Sequence, residues 1–595
     1  MTHSLYCKSQ GSTLKITSSV DSLLRHMRQK QTPRRLWIDA VCLNQFDNQE
    51  KSTQVQLMGQ IYGQAHKVRI WLGEANSHTW KVFQFFKVLA VHEREGTELL
   101  KKLALDTSLH LFGEESLRPV EALLHLPWFQ RRWVIQEVAL SHTTTVHCGS
   151  HKIGWGWFVK ALSVLSLIQH ALPLDQTAQN SLAVTAAISE GGSDMLGNLW
   201  TFRSTLCTER QDYIFALYGL ATDFGAVSSD AKFVEHLDYS SDWKRVYLQL
   251  ATILINSGQF YQILSHVGRF GNLANIDNFP SWVPNWSTAA SRRRDMPAWI
   301  GPPAEANPIV FANRHILEVP AAAVGTVALL CDRWPINADG PQLQAYHSTW
   351  ISENVRKQFR QELDPYLDFL HIHEQDWGLG FSRPAGSDHF FFLICEALKI
   401  FGSPVIPYSY ADRGYERTIS PSTKWVTNEM LLLNKSCIFE DPEIDLRLEE
   451  EQSRLETNGY SSINDIGDGN NISLFLEAKA ARPAFLSAIE KLMGKVTLFY
   501  AFRRTGNYRV RGLLWIGSTE VREGDVLYRP MTLKDYNDEE LTLTENSFFE
   551  TALILRPVET LARGKTSMNL YTFVGFALSC ANHIGAYKTE LIGIV

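Results

Sequence analysis

The stretch Arg34–Gln45, RRLWIDAVCLNQ, decides how the first part of this chain is read. A short apolar run bounded by basic and polar residues suits a strand buried on both faces of a parallel sheet. Asp47, followed three residues later by Glu50, then has the form of a capping box. It opens a predicted helix whose inward stripe is Val55, Met58, Ile61 or Tyr62, and Ala65. Val68–Leu72 (VRIWL), stopped by Gly73, follows as the next strand. A strand–helix–strand unit of this length implies a parallel pair joined by a right-handed crossover.

Outward from this unit, Thr17–Gln29 carries Val20, Leu23, Leu24 and Met27 at helical spacing. Helical stretches are predicted over Trp80–Leu105 and Trp128–Leu140, with a further strand over Thr144–Cys148. Residues 154–258 read as mainly helical, broken at Gly191-Gly192-Ser193, and Pro280–Ser287 (PSWVPNWS) reads as a proline-punctuated boundary loop. Residues 457–471 are rich in Gly, Asn, Ser and Asp and read as a mobile loop. The last hundred residues alternate strand-like runs with turn residues, as in a small antiparallel β domain. The expected organisation is therefore an α/β domain at 1–150, a helical companion at 151–290, a mixed, mainly helical region at 291–435, an acidic and polar loop at 436–480, and a β domain at 481–595. At ~150 residues per domain, 595 residues agree with that count.

Composition narrows the function classes. Hydrophobic residues make up 45% and charged residues 20%, which is ordinary globular usage. The net charge is −6, and Glu440–Glu456 alone holds eight acidic and two basic residues, so the rest is near neutral. That gives no basis for a nucleic-acid or anionic-membrane partner. The acidic run and the Arg292-Arg293-Arg294 triplet read as solvated segments. Eight scattered cysteines without a CxxC pair suggest a reducing, cytoplasmic setting. The N-terminus has no signal-peptide core, and Ala321–Cys331 is too short to span a bilayer. Leu570–Tyr587 lacks Asp, Glu, Lys and Arg, but Thr572, Ser579, Asn582 and His583 favour a buried strand over a tail anchor.

The sequence contains no GxxxxGK[ST], GxGxxG, HExxH or GxSxG motif. His142, His147, Cys148 and His151 resemble a zinc set, yet adjacent strand residues point to opposite faces. They are read as polar strand and turn residues, with no metal expected. Asp39 stands out because a carboxylate inside LWIDAVC costs several kcal/mol unless paired, on the order of 2–7. It needs a partner or a purpose. Arg210 and Asp212 read as an exposed or interdomain ion pair of little energetic worth.

Several stretches in order carry a resemblance. RRLWIDAVCLNQ is followed by QVQLMGQIYGQAHKVRIWLGEA (Gln54–Ala75), then WFQRRWVIQE (Trp128–Glu137), ERQDYIFALYGLA (Glu209–Ala221), LDYSSDWKRVY (Leu237–Tyr247) and FPSWVPNWS (Phe279–Ser287). Together they resemble the fungal heterokaryon-incompatibility (HET) domain proteins, which mediate non-self recognition and trigger cell death after incompatible hyphal fusion. Gly524-Asp525 and ALILRPVE before NLYTFVGFAL resemble the tails of such proteins.

The resemblance implies a TIR-like fold, a parallel sheet flanked by helices. The family's domains begin with a strand bearing a Ser-Tyr-x-Trp-Gly-like motif. No such motif occurs in the first 40 residues, so the resemblance leads to the expectation that the family's first strand is missing and that the sheet lacks one neighbour and one wall of its site.

Trp133 and Glu137 form a WxxxE pattern, one helical turn apart. TIR domains that cleave NAD carry their catalytic glutamate in a similar setting, which makes Glu137 the candidate catalytic residue. Asp39, Asn44 and Gln45 lie where a strand's C-terminal end would face a ligand. Trp37 and Trp133 could wall a base, and Arg131 could meet a phosphate bidentately. NAD is then a substrate and no cofactor is expected. The competing readings make Glu137 a structural partner of Arg131 or Arg132 and make Trp37, Trp71 and Trp133 core aromatics. A whole-protein alternative is a scaffold without catalysis that signals by binding a protein partner. The enzymatic reading implies assembly, with a homo-oligomer as one form it could take.

Overall fold

The computed structural model describes residues 3–7, 11–29, 31–223, 238–271, 279–288, 311–313, 315–330, 496–505, 509–518, 520–531, 550–558, 569–579 and 589–595. The acidic run and the loop expected at 457–471 lie outside them. The chain divides into two compact units, residues 1–250 with 286–290, and residues 251–285 with 291–595.

The first unit is mixed α/β. It opens with an antiparallel hairpin, β1 (His3–Cys7) and β2 (Ser12–Ile16), and then α1 (Ser18–Met27), capped by Thr17 Oγ1 accepting from Val20 N at 3.3 Å. A one-turn helix α2 (Asp39–Cys42) precedes α3 (Asn48–Gln64). Asp47 caps α3 by accepting from Gln49 N and Glu50 N. The other half of the predicted box is redirected, because Glu50 Oε1 accepts from Asn44 N at 3.1 Å instead. Val55 and Met58 of α3 face inward as expected.

Next come β3 (Val68–Trp71), α4 (Thr79–Val91), α5 (Thr97–Phe112), α6 (Arg118–Leu124) and α7 (Trp133–Ala139). They lead to β4 (Thr144–Cys148), β5 (His151–Gly154), α8 (Trp155–Ile168), α9 (Gln176–Glu190), α10 (Met195–Thr201) and α11 (Asp212–Tyr218). β3 pairs in parallel with β4, Val68 opposite Thr144, and β4 pairs antiparallel with β5. The core wraps α4 and α8 with Phe85, Phe86, Leu89, Phe158 and Leu162, all fully buried.

Two expectations are corrected. RRLWIDAVCLN forms no strand. Ile38 is extended (φ −137°, ψ 118°), but no residue of Leu36–Leu43 enters a ladder or is buried, and the backbone turns at Asp39, with Cys42 N donating to Ile38 O at 2.8 Å. The carboxylate supplies the reason. Asp39 Oδ1 accepts from Ala40 N at 2.8 Å, which favours a turn, and the turn keeps the charge near water instead of in a sheet core. The predicted helix Trp128–Leu140 is broken at Arg131, which is extended and forms a parallel bridge to Leu206; Leu206 N donates to Gln130 O at 2.6 Å.

The β4–β5 turn depends on Gly149. Its φ is +53°, its N–H donates to Gly73 O at 2.8 Å, and a Cβ there would lie 2.7 Å from the backbone nitrogen of Ala75. Gly149→Val combines left-handed strain with a clash against main chain, so a loss of about 3 kcal/mol is expected from urea unfolding.

In the second unit, α12 (Phe260–Phe270) is followed by β6 (Phe311–Asn313), β7 (Ile316–Leu330), β8 (Val496–Thr505), β9 (Arg509–Ser518), β10 (Val526–Pro530), β11 (Glu550–Pro557), β12 (Asn569–Ser579) and β13 (Thr589–Ile594). The pairings run β7–β8–β9–β12–β11–β10 and return from β10 to β7, so the strands close into a ring. All are antiparallel except β12–β13. Val324, Val327, Phe499, Trp515, Leu527 and Ile554 fill its core. Ser281–Val283 of the proline-punctuated segment is fully buried in this unit, with Ser281 N donating to Val595 O at 3.0 Å. No helix of the described residues is long and apolar enough to cross a membrane.

Candidate functional site

Helix α7 is two turns long and is fastened at its first turn. Arg132 is fully buried; its Nη1 donates to Phe202 O at 3.1 Å and to Thr205 Oγ1 at 3.3 Å, and its guanidinium lies over the Tyr213 ring at 5.0 Å. Arg132 therefore faces away from Glu137, which removes it as that residue's ion-pair partner. Val134, Ile135 and Val138 supply the buried stripe. Trp133 and Glu137 share the remaining face, one turn apart and both partly buried.

Glu137 meets a group of side chains from three elements. Burial pushes its carboxyl up to about 7, the exposed Arg131 opposes that rise, and the Asp39 carboxylate adds to it. Tyr62, on α3, is held above its ordinary range by burial first and then by Glu137 and Asp39, with Arg131 again opposing. Trp37 stands edge-on to Tyr62, ring centroids 5.7 Å apart. The fold thus gathers Trp37, Asp39, Tyr62, Arg131 and Glu137. Asn44 and Gln45 sit further along, in the exposed loop before α3, where Asn44 Oδ1 accepts from Phe46 N at 3.3 Å. Chemically, the arrangement is a carboxyl that changes charge near neutrality, beside a second carboxylate, an exposed cation and an aromatic wall.

Asp212 does not fit the exposed ion pair expected for it. It is 6% exposed, accepts from the Tyr239 hydroxyl, and is raised by burial. Arg210 instead lies over the Trp243 ring at 4.4 Å. The signal was available: Asp212 opens the apolar helix DYIFALY, and the burial argument made for Asp39 applies equally to it. Tyr62 was visible only as a member of an apolar stripe.

The zinc-like set does not converge. His147 pairs across the ladder with Lys152 and Cys148 with His151, and His147 Nε2 lies 3.3 Å from Arg69 Nη1. A second cluster of metal-binding residue types, Glu121, His125 and Asp175, is already spent on joining helices. His125 Nε2 lies 2.9 Å from Asp175 Oδ1, Asp175 N donates to Glu121 Oε1, and Asp175 caps α9 through Ala178 N.

His147 has its own consequence. Burial, then Arg69, Lys67 and Lys152, lower it to about 4 from an ordinary 6.5. Between those values the unfolded chain binds more protons than the folded one, so stability climbs as pH rises through the window. His147→Gln is expected to remove about 2 kcal/mol of the rise in unfolding free energy between pH 4.5 and 7, measured by urea titration.

Residues 1–137 match the family described as heterokaryon incompatibility protein (HET). The chain is 25% identical over 453 residues to heterokaryon incompatibility protein 6, OR allele, of Neurospora crassa, covering 64% of this chain. It spans 65% of the length of that relative. No solved structure matches. The N-terminal segment that bears Trp37, Asp39, Tyr62, Arg131 and Glu137 is therefore a HET domain, the family its motifs resemble.

Proposed function

We propose that this protein acts in heterokaryon incompatibility, in fungal non-self recognition and regulated cell death, and that its HET domain does so as a TIR-like enzyme cleaving NAD at the nicotinamide–ribose bond. The observation that carries the chemistry is the convergence of Glu137, Asp39 and Arg131 beside Tyr62 and Trp37. The family match and the N. crassa relative support the biological setting.

Scission of an N-glycosidic bond passes through an oxocarbenium-like transition state, as in glycoside hydrolysis. The ionised Glu137 carboxylate would stabilise the positive charge that develops on the ribose and accept from its hydroxyls. Arg131, exposed beside it, would meet the pyrophosphate, and Trp37 against Tyr62 would form the wall for a ring. Trp133, one turn from Glu137 on the same helix face, would close the other side. Water then captures the ribosyl cation as nicotinamide leaves. Activity in this reading belongs to a clustered state in the cytoplasm, brought about by a protein partner or by self-association.

The test is release of nicotinamide from NAD by purified full-length protein, alone and fused to a clustering tag, against Glu137→Gln. Turnover in the parent and none in the variant supports the reading; equal rates in both remove it.

A further inference from the structure

The parallel pair β3–β4 ends on a row of side chains that the Glu137 neighbourhood does not use. Register places Trp71 of β3 opposite His147 of β4, and His147 opposite Lys152 of β5. Side chains alternate along a strand, so Arg69 shares the face of Trp71, away from the buried Val68 and Ile70. Trp71 is the last residue of β3 and His147 the last but one of β4. That is the end at which open α/β sheets take ligands. We propose that Arg69, Trp71, His147 and Lys152 form a binding site for a phosphate dianion, taken up free or as a phosphate ester.

Every group in the row donates. Arginine has no acceptor, so the 3.3 Å contact of Arg69 Nη1 with His147 Nε2 makes that nitrogen the acceptor and leaves the proton of the neutral ring on Nδ1. His147 is 8% exposed, and its Nδ1 has no partner among the described residues. The Trp71 indole N–H is sealed from solvent and has none either, whereas buried indole donors ordinarily find an acceptor. The His26 ring lies against Trp71, centroids 5.0 Å apart, so α1 closes one side of the row. Glu74, just past β3, is already taken by the Ser22 hydroxyl and by His26, whose Nε2 lies 3.6 Å away. Neither Arg69 nor Lys152 has an ion-pair partner among the described residues.

The charges agree with the geometry. Burial and then Arg34 lower Arg69, and burial, Arg69, Lys67 and Lys152 in turn lower His147 to about 4. Positive charge is thus gathered on one sheet face with no carboxylate paired to it, and a bound anion relieves that repulsion. Two full cations and two neutral donors border the row. A phosphate dianion matches both charges and offers three terminal oxygens, where a carboxylate leaves one charge unmatched.

The test is isothermal titration calorimetry of full-length protein with inorganic phosphate, ADP and acetate, above neutral pH and at constant ionic strength. It needs no turnover and stands apart from the Glu137 chemistry. Phosphate is expected to bind with Kd at or below ~1 mM and acetate at least ~10-fold more weakly. ADP that competes with phosphate identifies an ester as the source, and phosphate binding without such competition identifies the free ion; both support the site. Arg69→Gln and Lys152→Gln should each weaken phosphate ~10-fold, while Lys160→Gln, at an exposed lysine paired with Glu93, should leave it unchanged. Trp71→Phe removes the orphaned N–H and keeps a ring. Without phosphate it should melt no lower than the parent, and its phosphate affinity should fall ~10-fold. Lys152 is exposed, so Lys152→Gln decides if the other variants do not fold. No binding of phosphate, acetate bound as tightly, parental affinity in folded Lys152→Gln or Trp71→Phe, or an equal loss in Lys160→Gln overturns the site.

Discussion

Glu137→Gln is expected to abolish nicotinamide release by roughly 100- to 1,000-fold while making the folded protein more stable above neutral pH. The two effects have one origin. Burial, only partly relieved by Arg131 and worsened by Asp39, raises the carboxyl from 4.5 to about 7. Between those values the folded protein holds a proton that the unfolded chain has released. The contribution of Glu137 to stability is therefore complete below pH 4.5 and is lost as pH rises through 7. At pH 8 the native state carries a charge it would be better without, and a neutral glutamine of the same shape removes that cost. Urea unfolding at pH 8 should show a gain of about 1–3 kcal/mol for the variant, shrinking to nothing by pH 4. The parent's turnover should run the other way, rising with pH through about 7, because the ionised form stabilises the ribosyl cation. A variant that loses activity and stability together would point instead to Glu137 as a structural ion-pair residue.

The largest stability effect is expected in the second unit, at Asp525. This carboxylate is 1% exposed and receives Arg556 bidentately, Nε to Oδ1 at 2.9 Å and Nη2 to Oδ2 at 3.0 Å, plus Arg522 N at 2.8 Å. Gly524, at φ +88°, lets the chain turn so that its own N–H reaches Val327 O at 2.8 Å while Asp525 O accepts from Val327 N. Removing the carboxylate leaves the 32%-exposed Arg556 guanidinium with Glu520 O as its remaining acceptor and leaves Arg522 N without its own. Asp525→Ala should cost about 3–5 kcal/mol, against less than about 1 for an exposed pair. The double variant Asp525→Ala, Arg556→Met should recover most of it, measured as urea midpoints, since an apolar pair leaves no orphaned charge.

What the sequence disclosed follows the physics of each segment. Caps and periodic stripes were legible because they are local. Thr17 and Asp47 begin helices where their side chains can reach free N–H groups, and Val68–Trp71 and Thr144–Cys148 are strands as their patterns require. RRLWIDAVCLN misled because a strand needs a neighbour as well as an apolar run, and one aspartate was enough to turn the backbone. Arg131 misled because Leu206, seventy-five residues on, draws it out of the helix. Glu137 was legible as part of the Trp133–Glu137 motif on one helix, and Arg131 as its near neighbour in sequence, just outside that helix. Tyr62 and Asp212 were not, since a phenol among apolar residues and a carboxylate beside an arginine look ordinary until distant elements enclose them.

The segment Pro280–Asn285 carries a consequence for synthesis. The Ser281 hydroxyl donates to Val595 O and accepts from Phe573 N at 2.8 Å, while the Trp282 indole N–H donates to His315 O at 3.3 Å. These bonds bridge up to 314 positions of sequence. At ~5–20 residues per second, a ribosome takes on the order of 15–60 seconds to cover that interval. Until then the Ser281 hydroxyl lacks both of its partners, Val595 O and Phe573 N. The nascent chain therefore holds Ser281 without its distal partners through about half of its own translation, and this segment closes only when the last strands arrive.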